Sequence, residues 1–267
     1  MSAAEQQTSR SAERPVLEAT GLAKSFGGMR VVDGMSLALA PGEMAGLIGP
    51  NGAGKTTVFN LLAGSLKPDA GSIRLKERDV TADAPQRRLA SGLGRTFQIP
   101  RPFSEMTVLE NVLTAVQHQS GERVLSNVFR PFRVAKEERA SVERAREILE
   151  FVSLTRLADE PARKLSGGQR KLLELARVLI ADPAVLLLDE PAAGVNPALL
   201  DLICDRIIEI NRTGVSILLI EHNMEMVERL CGRVVVMAAG QMLVEGTPAE
   251  IAANEEVVGV YLGEVEA

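Results

Sequence analysis

Residues 43–62, EMAGLIGPNGAGKTTVFNLL, constrain the fold more tightly than any other stretch. An apolar run over 43–49 reads as a strand, and glycines stand at 49, 52 and 54. A helical run follows, with Val58, Leu61 and Leu62 on one face. Strand, glycine loop and helix in this order open a parallel α/β unit. Gly49, Pro50, Asn51, Gly52, Ala53, Gly54, Lys55 and Thr56 also fit the pattern G-x-x-x-x-G-K-[ST]. Glycines let successive backbone N–H groups turn inward around phosphate oxygens, and the helix N-terminus adds a favourable dipole. Lys55 supplies charge to the β- and γ-phosphates, and the Thr56 hydroxyl can ligate Mg²⁺. The plain alternative is a glycine turn with a solvated lysine. With glycine at about 7% of residues, the four fixed positions match by chance in roughly one chain of this length in a hundred.

The remaining chain supports the same class. AVLLLDE (184–190), VSILLIEH (215–222) and RVVVMAAGQMLVEG (233–246) read as strands. VLLLD is apolar without alternation, as in a parallel strand covered on both faces. SLALA (36–40), GSIRLKERDV and GLGRTFQ add further strands, the first set off by a Pro-Gly turn. Between about 104 and 164 strand signals vanish, and KEERASVERAREILEFV has helical periodicity with heavy charge, so this region is expected to be a helical insertion. The class is therefore α/β, with helices flanking a mixed or parallel sheet. With 46% apolar residues but no Trp, one Tyr and seven Phe, aliphatic side chains must fill the core. The net charge of −5 lacks the basic footprint of nucleic-acid binding. Cys204 and Cys231 have neither metal spacing nor a framework of pairs, which points to a reducing, cytosolic compartment. No apolar run is long enough to span a bilayer, and residues 1–15 read as a polar, flexible tail without the apolar stretch of a signal peptide.

Three further features carry chemistry. LLLDEP places Asp189 and Glu190 at the C-terminal end of a strand, where open α/β sheets bind ligands. There an aspartate can hold Mg²⁺ and the next carboxylate can orient or deprotonate an attacking water. His222 in LLIEHN and Gln98 in RTFQ stand at other strand ends; His118, within the insertion, has no partner pattern and reads as structural. Finally, KLSGGQRKLLELARVLIADP places Ser166, Gly167 and Gly168 at the mouth of a second amphipathic helix, with Leu172, Leu175 or Ala176, and Leu179 facing a core. That start is expected to present N–H groups and a hydroxyl outward. Because the insertion separates it from the phosphate loop, it need not serve the same chain's nucleotide. It can complete the site of a second copy, so that a two-fold pair shares two sites.

GPNGAGKTT, LSGGQ and VLLLDEP, in that order with Gln98 and His222 in place, resemble an ATP-binding cassette (ABC) transporter ATPase over residues 16–264. The resemblance implies one ATPase domain. Its core and β subdomain would cover 16–103 and 165–247, its helical subdomain about 104–164, and a C-terminal helix about 247–264. ATP would be held by Gly49 through Thr57 (Thr57 included), by Gln98, and by Phe26 of KSFGG stacking on adenine. Ser166, Gly167, Gly168 and Gln169 would close over the γ-phosphate in trans. Asp189, Gln98 and Thr56 would hold Mg²⁺. Glu190 would act on water, with His222 and Lys55 contacting the phosphates. AAGVNP departs from the family, with Asn196 at a position usually held by Asp, which puts communication between the two sites in doubt.

RTFQIPRPFSEMTVLENV, DEPAAGVNP, LLIEHNM and GTPAEIAANEEVVGVYLGE narrow the resemblance to branched-chain amino acid importers and the related urea and amide importers. The lipopolysaccharide-export ATPase shares YLGE but fits less well after Gln98. The implied partners are a second ATP-binding subunit, identical or not, membrane permeases and, indirectly, an extracytoplasmic substrate-binding protein, at the cytoplasmic face of the inner membrane. Arg101, Phe103 and Met106 are expected at the permease interface. Two other readings, a soluble ABC protein of DNA repair or translation and a regulatory subunit without hydrolysis, are disfavoured. The chain lacks a basic face or a second cassette, and it retains Lys55, Glu190 and His222.

Overall fold

A computed structural model describes residues 14–117 and 131–262. His118 and all of the expected tail except Arg14 and Pro15 lie outside the described residues. The chain divides into two units. The first combines the described parts of Met1–Arg95, Ala184–Ala192 and Ile207–Ala267; the second combines those of Thr96–Pro183 and Ala193–Arg206.

The first unit holds two sheets. One is antiparallel, in the order β2 (Met29–Leu39), β1 (Leu17–Phe26), β4 (Ala70–Leu75), β5 (Arg78–Asp79). β2 starts well before the expected 36–40, because the hairpin pairs Phe26 with Met29 and extends the ladder to the turn. The other sheet has six strands: β10 (Gln241–Gly246), β9 (Arg233–Ala238), β3 (Met44–Ile48), β8 (Ser216–Ile220), β7 (Val185–Asp189) and β6 (Leu93–Arg95). All its pairings are parallel except β9 with β10. Every residue of β7 and β8 is buried, as the unbroken apolar runs require. Apolar side chains from both sheets, among them Leu17, Leu39, Leu47, Ile73, Leu187 and Ile220, join one core with Phe59. The strand ends that matter below are therefore set in rigid, close-packed surroundings.

The helices of this unit are α1 (Lys55–Leu62), α2 (Pro85–Ala90), α7 (Met224–Leu230), α8 (Pro248–Ala252) and α9 (Glu255–Leu262). Their caps explain where several begin. Thr247 takes the Glu250 N–H and Glu250 returns to the Thr247 N–H, a reciprocal capping box with Pro248 at the first helical position.

The second unit contains α3 (Val108–Leu113), α4 (Pro131–Phe151) and α5 (Gly167–Leu179), with 3₁₀ turns at Thr155–Leu157 and Ala162–Lys164. α6 (Pro197–Arg212) gives residues to both units. α5 packs against α3 and α4, burying Leu172, Leu173, Leu175 and Ala176, whereas Leu179 is only half-buried. The helical unit is wider than 104–164. The Phe97 N–H donates to Glu174 of α5 at 2.8 Å, and the Arg206 guanidinium lies 5.2 Å from the Phe151 ring. These long-range contacts draw 96–103, 165–183 and 193–206 into it. Among the described residues no helix is long and apolar enough to cross a membrane.

Candidate active site

β3 ends at Ile48, and the phosphate loop turns from it into α1 at Lys55. Two glycines are demanded by backbone contact. Gly49 has φ 148°, and a Cβ there would lie 2.1 Å from the Met237 carbonyl oxygen; Gly54 has φ 95°, and its Cβ would lie 2.6 Å from the Val31 carbonyl oxygen. Any side chain would push the loop off the sheet. The first amides of α1 have no partner within the helix, which suits an anion at this end. Lys55 is 6% exposed and donates to the carbonyl oxygens of Gly49 (2.7 Å) and Pro50 (2.9 Å), folding its ammonium back across the loop. Burial lowers its pKa, while the charges of Glu190 and Asp189 pull it back up.

A concavity of about 220 Å³ is lined by residues 51–57 with Val31, Glu190 and His222. The structure thus gathers the predicted loop, the second acid of the pair and the strand-end histidine. Glu190 has φ 47°, an uncommon conformation for a non-glycine residue, fixed by its N–H donating to the Ile220 carbonyl at 2.9 Å. Such a turn is costly unless its surroundings hold it. Here it brings Glu190 Oε1 to 3.3 Å from His222 Nε2. Asp189, at the last position of β7 and 3% exposed, receives Arg95 Nη2 on Oδ2 at 3.0 Å. Phe26 closes β1 at the hairpin tip, is 46% exposed and is not among the residues lining the concavity. At the far end of the chain, the phenol of Tyr261 on α9 accepts a hydrogen bond from the Gly49 N–H. Burial raises its pKa and that bond opposes the rise.

Glu221, which no sequence motif marks, is 2% exposed. One of its oxygens accepts the Ala192 N–H (2.6 Å), and the other accepts those of His222 (3.0 Å) and Asn223 (3.3 Å). One carboxylate therefore pins the segment after Glu190 to the segment carrying His222. The only sequence signal was an acid directly after an unbroken apolar strand. No motif marks Arg95 either; it lies at the end of β6, directly before TFQ.

The other predicted residues belong to the helical unit. Ser166 caps α5. Its hydroxyl accepts the Gln169 N–H at 3.3 Å and the Gln169 side chain accepts the Ser166 N–H at 2.9 Å. Ser166 is exposed, and its hydroxyl oxygen also serves the cap. Gly167 is exposed, but Gly168 is buried, and a Cβ on it would meet Leu199 Cδ2 at 2.0 Å. A side chain at 168 would have to displace the Leu199 side chain. Gln98 is exposed, with its carbonyl oxygen taking the Lys171 ammonium at 3.3 Å. Phe97, Ile99, Phe103 and Met106 are 54, 67, 52 and 40% exposed, in a stretch that also carries exposed Arg101. Buried Asn111 fixes its shape by accepting the Phe103 N–H and donating to the carbonyl oxygens of Phe103 and Thr107. Asn196 Oδ1 accepts the Leu199 N–H at 3.0 Å and so starts α6.

A family profile described as ABC transporter matches residues 32–193, and one described as branched-chain amino acid ATP-binding cassette transporter matches residues 241–267. A probable branched-chain amino acid transport ATP-binding protein of Archaeoglobus fulgidus is 41% identical, over 93% of this chain and 95% of its own. A high-affinity branched-chain amino acid transport ATP-binding protein of Pseudomonas aeruginosa is 40% identical, over 94% and 99%. Among solved structures, the ADP conformation of an ATP-binding cassette of an ABC transporter superposes with a TM-score of 0.81 at 38% identity, covering 93% of this chain and 99% of the other. A nucleotide-free cassette gives 0.81 at 37%, covering 92% and 98%. With a family match over more than half its length and close relatives along nearly all of it, the chain belongs to the ABC transporter family as an ATP-binding subunit.

Proposed function

We propose that this ATPase powers the import of branched-chain amino acids, binding and hydrolysing ATP at the concavity between residues 51–57, Glu190 and His222. The observation that carries the chemistry is the Glu190–His222 pair set across from the phosphate loop in one pocket. Lys55 and the loop amides bind the phosphates. Glu190 orients or deprotonates the attacking water, and His222 contacts the γ-phosphate beside it. The branched-chain substrate is supported by the match of the C-terminal segment and by the names of the relatives. Urea or short amides form the second reading, because the segment after Gln98 resembles those importers as well.

The donor set fits Mg²⁺. This ion favours hard oxygen ligands and takes one or two carboxylates together with phosphate oxygens and water. Thr56 offers a hydroxyl, and Asp189 offers a buried carboxylate close enough for its charge to act on Lys55. Among the described residues no group of three or more His, Cys, Asp or Glu could hold a metal ion by itself. When bound, it would neutralise phosphate charge. Asp189 and Thr56 would hold it, and Asp189 is itself held by Arg95.

Two copies, or this chain and a related one, would pair so that Ser166, Gly167, Gly168 and Gln169 of one cover the ATP of the other. The exposed residues Phe97, Ile99, Arg101, Phe103 and Met106 would receive the membrane permease, at the cytoplasmic face of the membrane. Nucleotide-driven closure would then shift the permease between two arrangements. Glu190→Gln tests the chemistry: the water loses its base while the phosphate contacts stay. ATP binding is expected to persist, with phosphate release falling at least a hundredfold (about 10²–10⁴ for a general base). Turnover within tenfold of the parent protein refutes the role of Glu190.

A further inference from the structure

Asp189 is paired with a buried arginine. Arg95 is 7% exposed in its side chain and Asp189 3%, with Nη2 and Oδ2 at 3.0 Å. The other arm of the same guanidinium, Nη1, donates to Asn60 Oδ1 on α1 at 2.6 Å, and its carbon lies 5.9 Å from the centre of the Phe59 ring. β6 pairs with β7 so that Arg95 stands opposite Leu187, two residues before Asp189. One planar cation thus ties the helix that follows the phosphate loop to the carboxylate across from it. A buried guanidinium is always charged and its fork fixes direction as well as distance.

We propose that Arg95 is a positioning residue that holds the Asp189 carboxylate ready and sets how much divalent metal nucleotide binding requires. The inference rests on the reading of Asp189 as a ligand to Mg²⁺. Two cations then address one carboxylate. An ion held by Asp189 would share that small carboxylate with the Arg95 guanidinium, 3.0 Å away, in surroundings that screen poorly. The guanidinium therefore disfavours the ion, and Asp189 is shared only when the nucleotide brings phosphate oxygens to complete the coordination. In this arrangement Arg95 guards against occupancy by metal alone, and its charge, beyond its packing, is the operative property. Asn60 aims it.

The test follows binding of a fluorescent ATP analogue to the full chain while Mg²⁺ is titrated at fixed nucleotide. Arg95→Gln keeps a polar side chain and removes the charge; its half-saturating Mg²⁺ is expected to fall at least fivefold. Arg95→Lys keeps the charge and is expected to stay within twofold of the parent. Asn60→Asp leaves Arg95 in place but offers it a competing carboxylate, and is expected to lower the Mg²⁺ requirement in the same direction even if the Gln variant does not fold. A merely structural Arg95 would change the melting temperature without moving these titrations. Unchanged or raised Mg²⁺ requirements in Arg95→Gln and Asn60→Asp, with a metal-dependent parent, overturn the role of Arg95 alone. A parent whose nucleotide binding ignores Mg²⁺ overturns the reading of Asp189 as well.

Discussion

Arg88 is the sharpest test of how the phosphate loop is held. It is 1% exposed, yet none of its hydrogen bonds goes to a carboxylate. Its guanidinium donates to the carbonyl oxygens of Leu61 and Leu62 (2.6 Å each), Thr81 (2.9 Å) and Asp83 (3.1 Å). Leu61 and Leu62 form the last turn of α1, where carbonyls have no partner inside the helix and a cation is favoured by the dipole. Burial lowers the pKa of this arginine, and the charges of Asp83 and Asp79 oppose the shift. Arg88→Met keeps much of the apolar stem but strips four acceptors. Leu61 retains the Gly64 N–H at 3.1 Å, so up to three carbonyls lose this donor at about 1–3 kcal/mol each. Some will recover through water, which places the expected loss at about 3–5 kcal/mol. For a chain of this size that is a fall in melting temperature of roughly 6–20 °C. Arg88→Lys, with three donors and no fork, should lose about half as much. Its neighbour Arg87 is the control. That side chain is 76% exposed and 3.8 Å from Asp83, so Arg87→Met should cost less than about 1 kcal/mol. Calorimetry and guanidinium denaturation measure both. If Arg88→Met falls within 1 kcal/mol of the parent, or if the two methionine variants are equally destabilised, the capping argument is wrong.

Other consequences follow from the same geometry. Glu221→Ala releases the amides of Ala192, His222 and Asn223, and should lower phosphate release at least tenfold while nucleotide affinity stays within about threefold, since misplacing catalytic groups by an ångström is that costly; normal turnover would remove Glu221 from its positioning role. Phe103→Asp should leave the isolated ATPase largely active but uncouple it from a reconstituted permease, and unchanged transport would take Phe103 out of that interface. The carboxylates of Glu110 and Glu250 are lowered first by the backbone N–H groups of Thr107 and Thr247, and those of Asp69 and Asp79 first by side-chain partners Lys24 and Thr81. A depressed acid contributes its stability in full above its unfolded value, about pH 4–4.5, and loses it as pH falls through the folded values below that. Melting temperature should therefore drop on acidification below about pH 5, and Thr107→Ala should flatten that drop; a profile indifferent to the substitution would contradict it.

The parts legible in the sequence were those governed by local pattern. VLLLD reads as a doubly covered strand because five consecutive positions need burial, and Gly49 and Gly54 stand where backbones meet. The polar residues that organise the site were not legible. Arg88, Arg95 and Glu221 look like ordinary surface charges in their own neighbourhoods. Each is buried by partners far along the chain: Leu61 for Arg88, Asp189 for Arg95, Ala192 for Glu221. The side chain that a Cβ at Gly168 would meet, Leu199, lies on another helix far along the chain, and no local pattern announces it. The second compact unit also takes in residues outside 104–164. Periodicity marks where strand signals stop, but Phe97 joins that unit through Glu174, a contact that no local pattern announces.

Sedimentation of the Glu190→Gln chain with Mg²⁺ and ATP addresses most directly the claim that the glycine-led start of α5 completes the site of another copy. A dimer should form with ATP, remain absent with ADP, and be lost when Ser166→Arg is added. A chain that holds ATP tightly as a monomer, or a dimer indifferent to both nucleotide and the Ser166 substitution, would contradict the shared site.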